Sequence, residues 1–258
     1  MCRIVGFISA GMESGVSDIG FELANNLANT NASVCVVDFY FSMNNISEKF
    51  EKDKCFDLKD YLIGRIGIDG VLSIAAENLF FIKSNYARFD YLKYKIDIEH
   101  LIKQLSRKFD YILIDVNSFD YRVIALALSV ITEVCLVFDN EHNSISMAAR
   151  LIKIIREKSD ISMINLVMNK SRIMGQLAKK YLSRIEIENL LGEDIMFEFP
   201  KFYKNNYLKS NNTSNATRKL GLKFCNSFVN NKVLHINYFK DYKGIIGRIK
   251  RSLYERFE

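Results

Sequence analysis

The stretch RIVGFISAGMESGVS, Arg3 to Ser17, joins an apolar run to a loop that leads into a helical pattern. Arg3 to Ser9 has the length and apolar character of a buried strand, and Ile19 to Ala28 places its apolar residues on one helical face. The loop between them contains Gly11 and Gly15. A strand, a glycine-containing loop and a helix in this order can cradle an anion, because backbone N–H groups and the helix N-terminus favour negative charge.

The same alternation of short apolar runs and longer helical patterns continues along the chain. Further strands are predicted at Ser33 to Asp38, Leu79 to Lys83, Tyr111 to Asp115, Glu133 to Phe138, Ile164 to Asn169 and Ile195 to Phe199. Further helices are predicted at Phe56 to Ile63, Ile96 to Lys108, Tyr121 to Ser129, Ser144 to Glu157 and Leu220 to Val229. This alternation predicts an α/β fold in three layers, a mostly parallel twisted sheet with helices on both faces.

Composition is that of a globular protein, with 49% hydrophobic and 26% charged residues in a chain of 258. We expect one domain over residues 1–235 and a separate C-terminal helical segment over residues 236–258. No segment approaches the roughly 20 apolar residues of a membrane-spanning helix, and the N-terminal apolar run is too short for a secretory signal. The expected location is therefore the cytoplasm. Cys35 and Cys135 lie in predicted strands and are expected to be free core thiols.

The loop SAGMESGVS, Ser9 to Ser17, resembles the deviant Walker A segment of the MinD/ParA family of P-loop ATPases, which includes FlhG and TadZ. Gly15 and Ser17 stand where that family has its glycine and its Mg²⁺-binding serine or threonine. Gly11 stands where the early lysine of the family belongs, and Val16 where the second lysine belongs. The resemblance implies that this loop is similar to an ATP-binding loop and lacks both of its lysines.

Two strands that end in aspartate extend the resemblance. CVVDFYFSMNN, Cys35 to Asn45, is similar to the second-strand segment of the family, whose first acid matches Asp38 and whose second acid is replaced by Tyr40. FDYILID, Phe109 to Asp115, is similar to a Walker B strand, whose acid acts on Mg²⁺ through water. The resemblance implies that Asp38 and Asp115 are the catalytic acids if the chain is active, and that Ser17 and Asp115 are the Mg²⁺ residues.

Two later positions resemble the part of the family site that contacts the base. LVMNK, Leu166 to Lys170, matches the strand end where an asparagine contacts adenine, here Asn169, and Pro200 matches the proline beside the base. The segment after Asp115 departs from the family, since Val116 to Phe119 replaces Ser-Pro-Ala-Gly. The nucleotide-binding set implied by the resemblance comprises Gly11, Gly15, Val16, Ser17, Asp38, Asp115, Asn169 and Pro200.

The departures in the loop change its chemistry. A lysine in a phosphate loop stabilises the charge that redistributes during phosphoryl transfer, and losing one such contact costs two to three orders of magnitude in rate. Met12 and Glu13 replace a glycine pair, and a carboxylate near a triphosphate adds repulsion. We therefore expect a pseudo-ATPase that binds ATP or ADP with Mg²⁺ weakly, or binds no nucleotide. Lys153, Lys170 and Arg172 are candidates for a replacement cation.

Each site residue also has a structural explanation. Asp38 and Asp115 could simply terminate buried strands, and Ser17 could be a helix N-cap. Asn169 could be a turn residue. The sequence leaves these alternatives open.

The C-terminal segment YKGIIGRIKRSLYERFE, Tyr242 to Glu258, has the pattern of a basic amphipathic helix. Its apolar face includes Ile245, Ile246, Ile249, Leu253 and Phe257. Its basic residues include Lys243, Arg248, Lys250 and Arg251. The segment is similar to the membrane-targeting helix of MinD. This similarity predicts that it binds the anionic inner face of the cell membrane. The alternative is a final helix packed on the domain core.

These features favour a spatial regulator of the cell division, flagellar or pilus apparatus. Such a protein would act at the membrane by recruiting a protein partner, and dimerisation with a second copy is implied by the resemblance. One alternative is an active ATPase with an unusual cation supply. Another is a ParA-like protein associated with DNA, which the basic residues favour and the apolar face of the terminal helix opposes, because nucleic acid does not need such a face.

Overall fold

The computed structural model describes residues 2–11, 13–39, 56–84, 89–116, 118–177, 179–201 and 215–236. The strands are β1 (Arg3–Ser9), β2 (Val34–Phe39), β3 (Ser73–Ala76), β4 (Leu79–Ile82), β5 (Tyr111–Val116), β6 (Glu133–Phe138), β7 (Ile164–Ser171) and β8 (Ile195–Pro200). The helices are α1 (Val16–Ala28), α2 (Leu58–Leu62), α3 (Ile68–Val71), α4 (Lys95–Leu105), α5 (Tyr121–Leu128), α6 (His142–Lys158), α7 (Ile173–Leu177), α8 (Arg184–Leu191) and α9 (Asn215–Val229). A short 3-10 helix, Tyr91–Tyr94, precedes α4.

The strands form one sheet in the order β3-β4-β2-β5-β1-β6-β7-β8. Neighbouring strands are parallel except β3 and β4, which pair antiparallel. β3 lies at one edge of the sheet. β5 and β6 flank β1, so the chain builds the sheet outward in both directions from this strand. Ligands of such sheets bind beyond the carboxyl ends of the strands, at the point where the strand order reverses. Here that point is the loop after β1.

The sheet separates two hydrophobic cores. One face packs against α1 and α9 and buries Phe7, Val36 and Phe224. The other face packs against α2, α4, α5, α6 and α8 and buries Ile8 and Val37. Consecutive residues of one strand enter opposite cores because side chains alternate across a sheet. The predicted three-layer α/β architecture is therefore confirmed.

The regular elements predicted from the apolar runs are present, and most differ by only a few residues at their ends. α3, β3, α7, α8 and the 3-10 helix were not predicted. β3 has the sequence SIAA with a single buried residue, and α8 buries only Arg184 and Ile187, so neither produces a long apolar pattern. Short elements at the edge of a sheet are set by tertiary pairing more than by periodicity.

Buried cysteines follow the expectation. Cys35 and Cys135 are free and fully buried, and burial raises the pKa of both thiols above its usual value. Among the described helices, none has both the length and the apolar composition needed to cross a bilayer. The predicted C-terminal helix and its membrane-binding residues lie outside the described residues, as does the second predicted segment, 236–258, apart from residue 236.

Candidate functional site

The loop after β1 leads into α1 earlier than the sequence predicted. α1 begins at Val16, and Gly15 is its N-cap residue with φ +78° and ψ +27°. Glycine adopts this left-handed conformation without the steric cost that a Cβ would impose. As a glycine, this N-cap residue has no side chain to cap the helix N-terminus. The site therefore retains the backbone arrangement that favours an anion.

Glu13 occupies a backbone conformation better suited to glycine. Its φ is +58°, in the left-handed region, which costs an L-residue with a Cβ about 1–2 kcal/mol. The Glu13 side chain is exposed. Ser14 is buried, and its hydroxyl lies 2.7 Å from the hydroxyl of Ser9, which donates to the carbonyl of Gly11. The loop is thus ordered by its own hydroxyl groups despite an unfavourable residue at position 13.

The two expected lysine positions are closely packed. A Cβ added at Gly11 would lie 3.0 Å from Ser144 Oγ, a contact tighter than most side chains make. Val16 is 6% exposed and belongs to the core between the sheet and α1. A valine at this position contributes to packing and carries no charge. Neither position supplies a cation to the loop.

The predicted Mg²⁺ residues lie together at the carboxyl ends of the strands. Ser17 Oγ donates a hydrogen bond of 2.7 Å to Asp115 Oδ2. Asp115, 1% exposed, is the register partner of the fully buried Asp38 on the neighbouring strand. Hard oxygen ligands of this kind are those that Mg²⁺ prefers. The hydroxyl and the two carboxylates are therefore of the chemical kind that would hold Mg²⁺, and the role of Ser17 and Asp115 toward the ion stays a prediction.

The end of β7 contacts the loop through two consecutive residues. Asn169 Nδ2 donates to the carbonyl oxygen of Ser14 at 2.8 Å, and Lys170 Nζ donates to the carbonyl oxygen of Glu13. Asn169 is buried, and its amide nitrogen lies 2.6 Å from where a Cβ of Gly15 would be. The predicted base-contacting residue is thus packed against the phosphate loop here. Its contact with a base stays a prediction.

Pro200 lies beside this region at the end of β8. It pairs with Ser171 of β7 and is buried. Ser171 Oγ donates to Glu198 Oε1, and Gln176 Nε2 lies 2.9 Å from Ser171 Oγ and 3.2 Å from Glu198 Oε1. This hydrogen-bonded group joins the ends of β7 and β8 to α7. The sequence offered no signal for it, because its members are far apart in the chain and follow no motif.

The three candidate replacement cations have different surroundings. Lys153 is exposed on α6 and lies 3.8 Å from Glu157. Arg172 forms an ion pair with Glu141 and stacks over the ring of Tyr181, with 4.7 Å between the guanidinium carbon and the ring centroid. Both side chains are therefore engaged with neighbours outside the loop. Lys170 contacts the loop itself.

The segment after β5 differs in exposure from one residue to the next. Ser118 is buried, whereas Phe119 is 55% exposed. Met12, Tyr40 and Asn117, which the sequence identified as departures from the family pattern, lie outside the described residues.

A groove of about 960 Å³ runs between α5 and α6, and none of its lining residues belongs to the candidate site.

Comparisons with known proteins identify the fold. No model of a known protein family matches the sequence, and no curated protein matches it. Solved structures do match. A ParA family ATPase from Chlorobium tepidum is similar with a TM-score of 0.72 at 22% identity, over 87% of this chain and 99% of that one.

Two MinD structures extend this similarity. MinD in the MinC:MinD cell division complex of Aquifex aeolicus matches with a TM-score of 0.80 at 16% identity, over 92% of this chain and 99% of that one. The septum site-determining protein MinD of Pyrococcus horikoshii, complexed with Mg-ADP, matches with a TM-score of 0.73 at 16% identity, over 88% of this chain and 96% of that one. This chain therefore has the fold of the MinD and ParA ATPases, and the resemblance drawn from its sequence is confirmed at the level of the fold.

Proposed function

We propose, from the fold that this chain shares with the MinD and ParA ATPases, that it is a positioning protein that binds nucleotide with Mg²⁺ weakly and hydrolyses it very slowly or not at all. The observation that carries the proposal is the contrast within one site. Ser17 donates to Asp115 beside Asp38, which groups oxygen atoms of the kind that Mg²⁺ prefers, while Val16 is buried and uncharged where the resemblance implies a phosphate-binding lysine.

The binding half of the proposal rests on backbone and oxygen ligands. The N-terminus of α1, whose N-cap residue is Gly15, and the loop around it favour a phosphate group. Ser17 and Asp115 would hold the Mg²⁺ that accompanies it, with Asp38 as a further acid close by. Asn169 and Pro200 lie at the ends of β7 and β8, where a base would complete the site. Bound Mg²⁺ would offset the negative charge of the phosphates.

The inactive half rests on the missing cations. Phosphoryl transfer is accelerated mainly by positioning and by positive charge aimed at the transferring group. Gly11 and Val16 provide none, and the Glu13 carboxylate on the same loop opposes it. Losing both cations should cost more than the two to three orders of magnitude expected for one. Nucleotide would then act as a structural ligand more than as a substrate.

Calorimetry on the full chain tests this function. We expect ADP and ATP to bind in the presence of Mg²⁺ and more weakly in its absence, with no continuing heat from hydrolysis of ATP. Absence of binding to either nucleotide at millimolar concentration would remove the nucleotide from the proposal. Continuing heat from ATP hydrolysis after each addition of ATP would remove the pseudo-ATPase assignment.

Membrane recruitment is proposed separately from the sequence of residues 236–258. The apolar and basic faces of this segment suit the interface of an anionic bilayer, where the chain would hold a protein partner of a division, flagellar or pilus system. Vesicles containing anionic lipid should sediment the full chain, and a variant ending at His235 should stay in the supernatant. Equal sedimentation of both proteins would contradict membrane binding by this segment.

A further inference from the structure

We propose that Lys170, which lies outside the phosphate loop in sequence, is the positive charge of this loop and takes the place of the missing lysines. The inference rests on the proposed nucleotide binding and names a residue for it. Lys170 Nζ donates to the carbonyl oxygen of Glu13, in the middle of the loop that has lost its own cations. Among the three lysine and arginine candidates at this side of the fold, it is the one whose contact is with the loop.

An irregularity in β7 brings Lys170 to the loop. Met168 pairs with Glu198 and Ser171 pairs with Pro200, so β7 contains one more residue than β8 between these two pairs. In a regular strand, Asn169 and Lys170 would point to opposite faces of the sheet. The extra residue allows both side chains to contact neighbouring loop carbonyls. Bulges of this kind often redirect a side chain near a functional site.

The backbone at Lys170 is unfavourable for lysine. Its φ is +53°, in the left-handed region, where glycine or asparagine is the usual residue. A side chain that needs this conformation to make its contact is a recognised sign of a functional constraint. Glu13, at the other end of the contact, has φ +58°. Two residues with unfavourable backbone conformations therefore meet at the point where the cation joins the loop.

Charge explains what this contact provides. The carboxylate of Glu13 lies on the loop itself, and Asp38 and Asp115 lie near the ends of β2 and β5, so each would repel a phosphate bound at the loop. An ammonium group held at the Glu13 carbonyl counters this repulsion and also positions the loop. Lys170 is thus a positioning and charge-supplying residue. It replaces the missing lysines in binding, and it does not restore the pair of cations that the transition state requires.

The test compares nucleotide affinity among matched variants by calorimetry with Mg-ADP. Lys170→Met should raise Kd about tenfold, the change expected for loss of one charged contact at a partly exposed site, whereas Lys170→Arg should stay within about threefold of the unaltered chain. Lys153→Met, which removes an exposed lysine of α6, should leave Kd unchanged. Added salt should weaken binding by the unaltered chain more than binding by Lys170→Met, because salt screens the charge that the variant lacks.

The outcomes separate this inference from the proposed function. If the unaltered chain binds Mg-ADP and Lys170→Met binds it equally well with the same salt dependence, the role of Lys170 is overturned and nucleotide binding stands. If the unaltered chain binds neither nucleotide, both proposals fall. Urea unfolding of each variant establishes that it is folded. Should Lys170→Met not fold, Lys170→Gln, which keeps a hydrogen-bond donor without the charge, takes its place with the same expected loss.

Discussion

The two sides of the candidate site follow the pattern of the MinD and ParA ATPases to different extents. On the strand side, Asp38 and Asp115 are register partners at the ends of β2 and β5, and Ser17 is bonded to Asp115. On the loop side, Gly11 and Val16 stand where the sequence resemblance implies lysines, and Glu13 stands where it implies a glycine. The strand side is tied to the sheet, since its residues belong to strands or to the first turn of α1. The loop side carries no cation at Gly11 or Val16.

The residues of the two sides contribute different properties to the site. Val16 adds to the core next to α1, so an apolar side chain at this position favours stability and supplies no charge to a phosphate. The contact from Lys170 to the Glu13 carbonyl then supports the loop from a neighbouring strand. Substitutions on the strand side should therefore change the Mg²⁺ dependence of nucleotide binding. Substitutions on the loop side should change the stability of the loop and the charge that it presents to a phosphate.

The largest effect is expected from Gly15→Ala. Alanine at φ +78° pays the left-handed penalty, and its Cβ would lie 2.6 Å from Asn169 Nδ2, so the free energy of unfolding should fall by about 3 kcal/mol. Gly64→Ala is the matched control, because Gly64 has φ +73° with no atom near its Cβ, and should lose about 1 kcal/mol. Urea unfolding measures both. Equal losses would show that the loop does not pack against Asn169 as described.

The strand side is tested by Asp115→Ala. Removing this carboxylate should weaken Mg²⁺-dependent nucleotide binding by about 10–100-fold, so that Kd no longer responds to Mg²⁺. Asp110→Ala is the control, because Asp110 precedes the same strand at its opposite end and its carboxylate accepts hydrogen bonds from Ser33. Calorimetry with and without Mg²⁺ measures the difference. A variant that retains the Mg²⁺ response would place the ion elsewhere.

The loop side is tested by restoring a cation with Val16→Lys. The buried position should lower the free energy of unfolding of the ligand-free chain by about 1–3 kcal/mol, while affinity for ATP should rise by about tenfold. Val16→Met, which has a long uncharged side chain, should show no gain in affinity. An equal affinity of the two variants would mean that the side chain at position 16 does not reach the phosphates.

The smallest effect is expected from Glu13→Gly. Glycine relieves the left-handed strain at φ +58°, and the chain should gain up to about 1 kcal/mol in free energy of unfolding while affinity for ADP rises a few-fold. Glu13→Gln removes the charge and keeps the strain, so it should raise affinity without stabilising the fold. Urea unfolding and calorimetry on both variants separate strain from charge. No change in either property would contradict the conformation described for this loop.

The sequence predicted the layers of the fold because apolar runs of strand length alternate with helical patterns. It also predicted the residues that approach the loop from β2 and β5, since Asp38 and Asp115 end strands whose carboxyl ends meet at one edge. It could not predict the contact from Lys170. That contact depends on an extra residue in β7, and neither glycine nor proline marks the irregularity in LVMNKS. Strand periodicity alone would have directed Lys170 and Asn169 to opposite faces.

The start of α1 at Val16 also depends on long-range packing, which the sequence pattern does not reveal. An apolar residue in a loop before a helix is ambiguous by pattern, and only the position of Val16 in the core shows that α1 begins there. Edge elements such as β3 and α8 were missed for a similar reason. Their few buried residues are selected by the neighbouring strand or helix, and local periodicity does not report them.

The central claim, that this chain binds nucleotide without turning it over, is tested most directly by a single-turnover measurement. The full chain is mixed in excess with radiolabelled ATP and Mg²⁺, and hydrolysis is followed beside Asp115→Ala and a reaction without protein. We expect ATP to disappear at the same rate in all three reactions. Hydrolysis by the unaltered chain that Asp115→Ala abolishes would contradict it and establish an active ATPase.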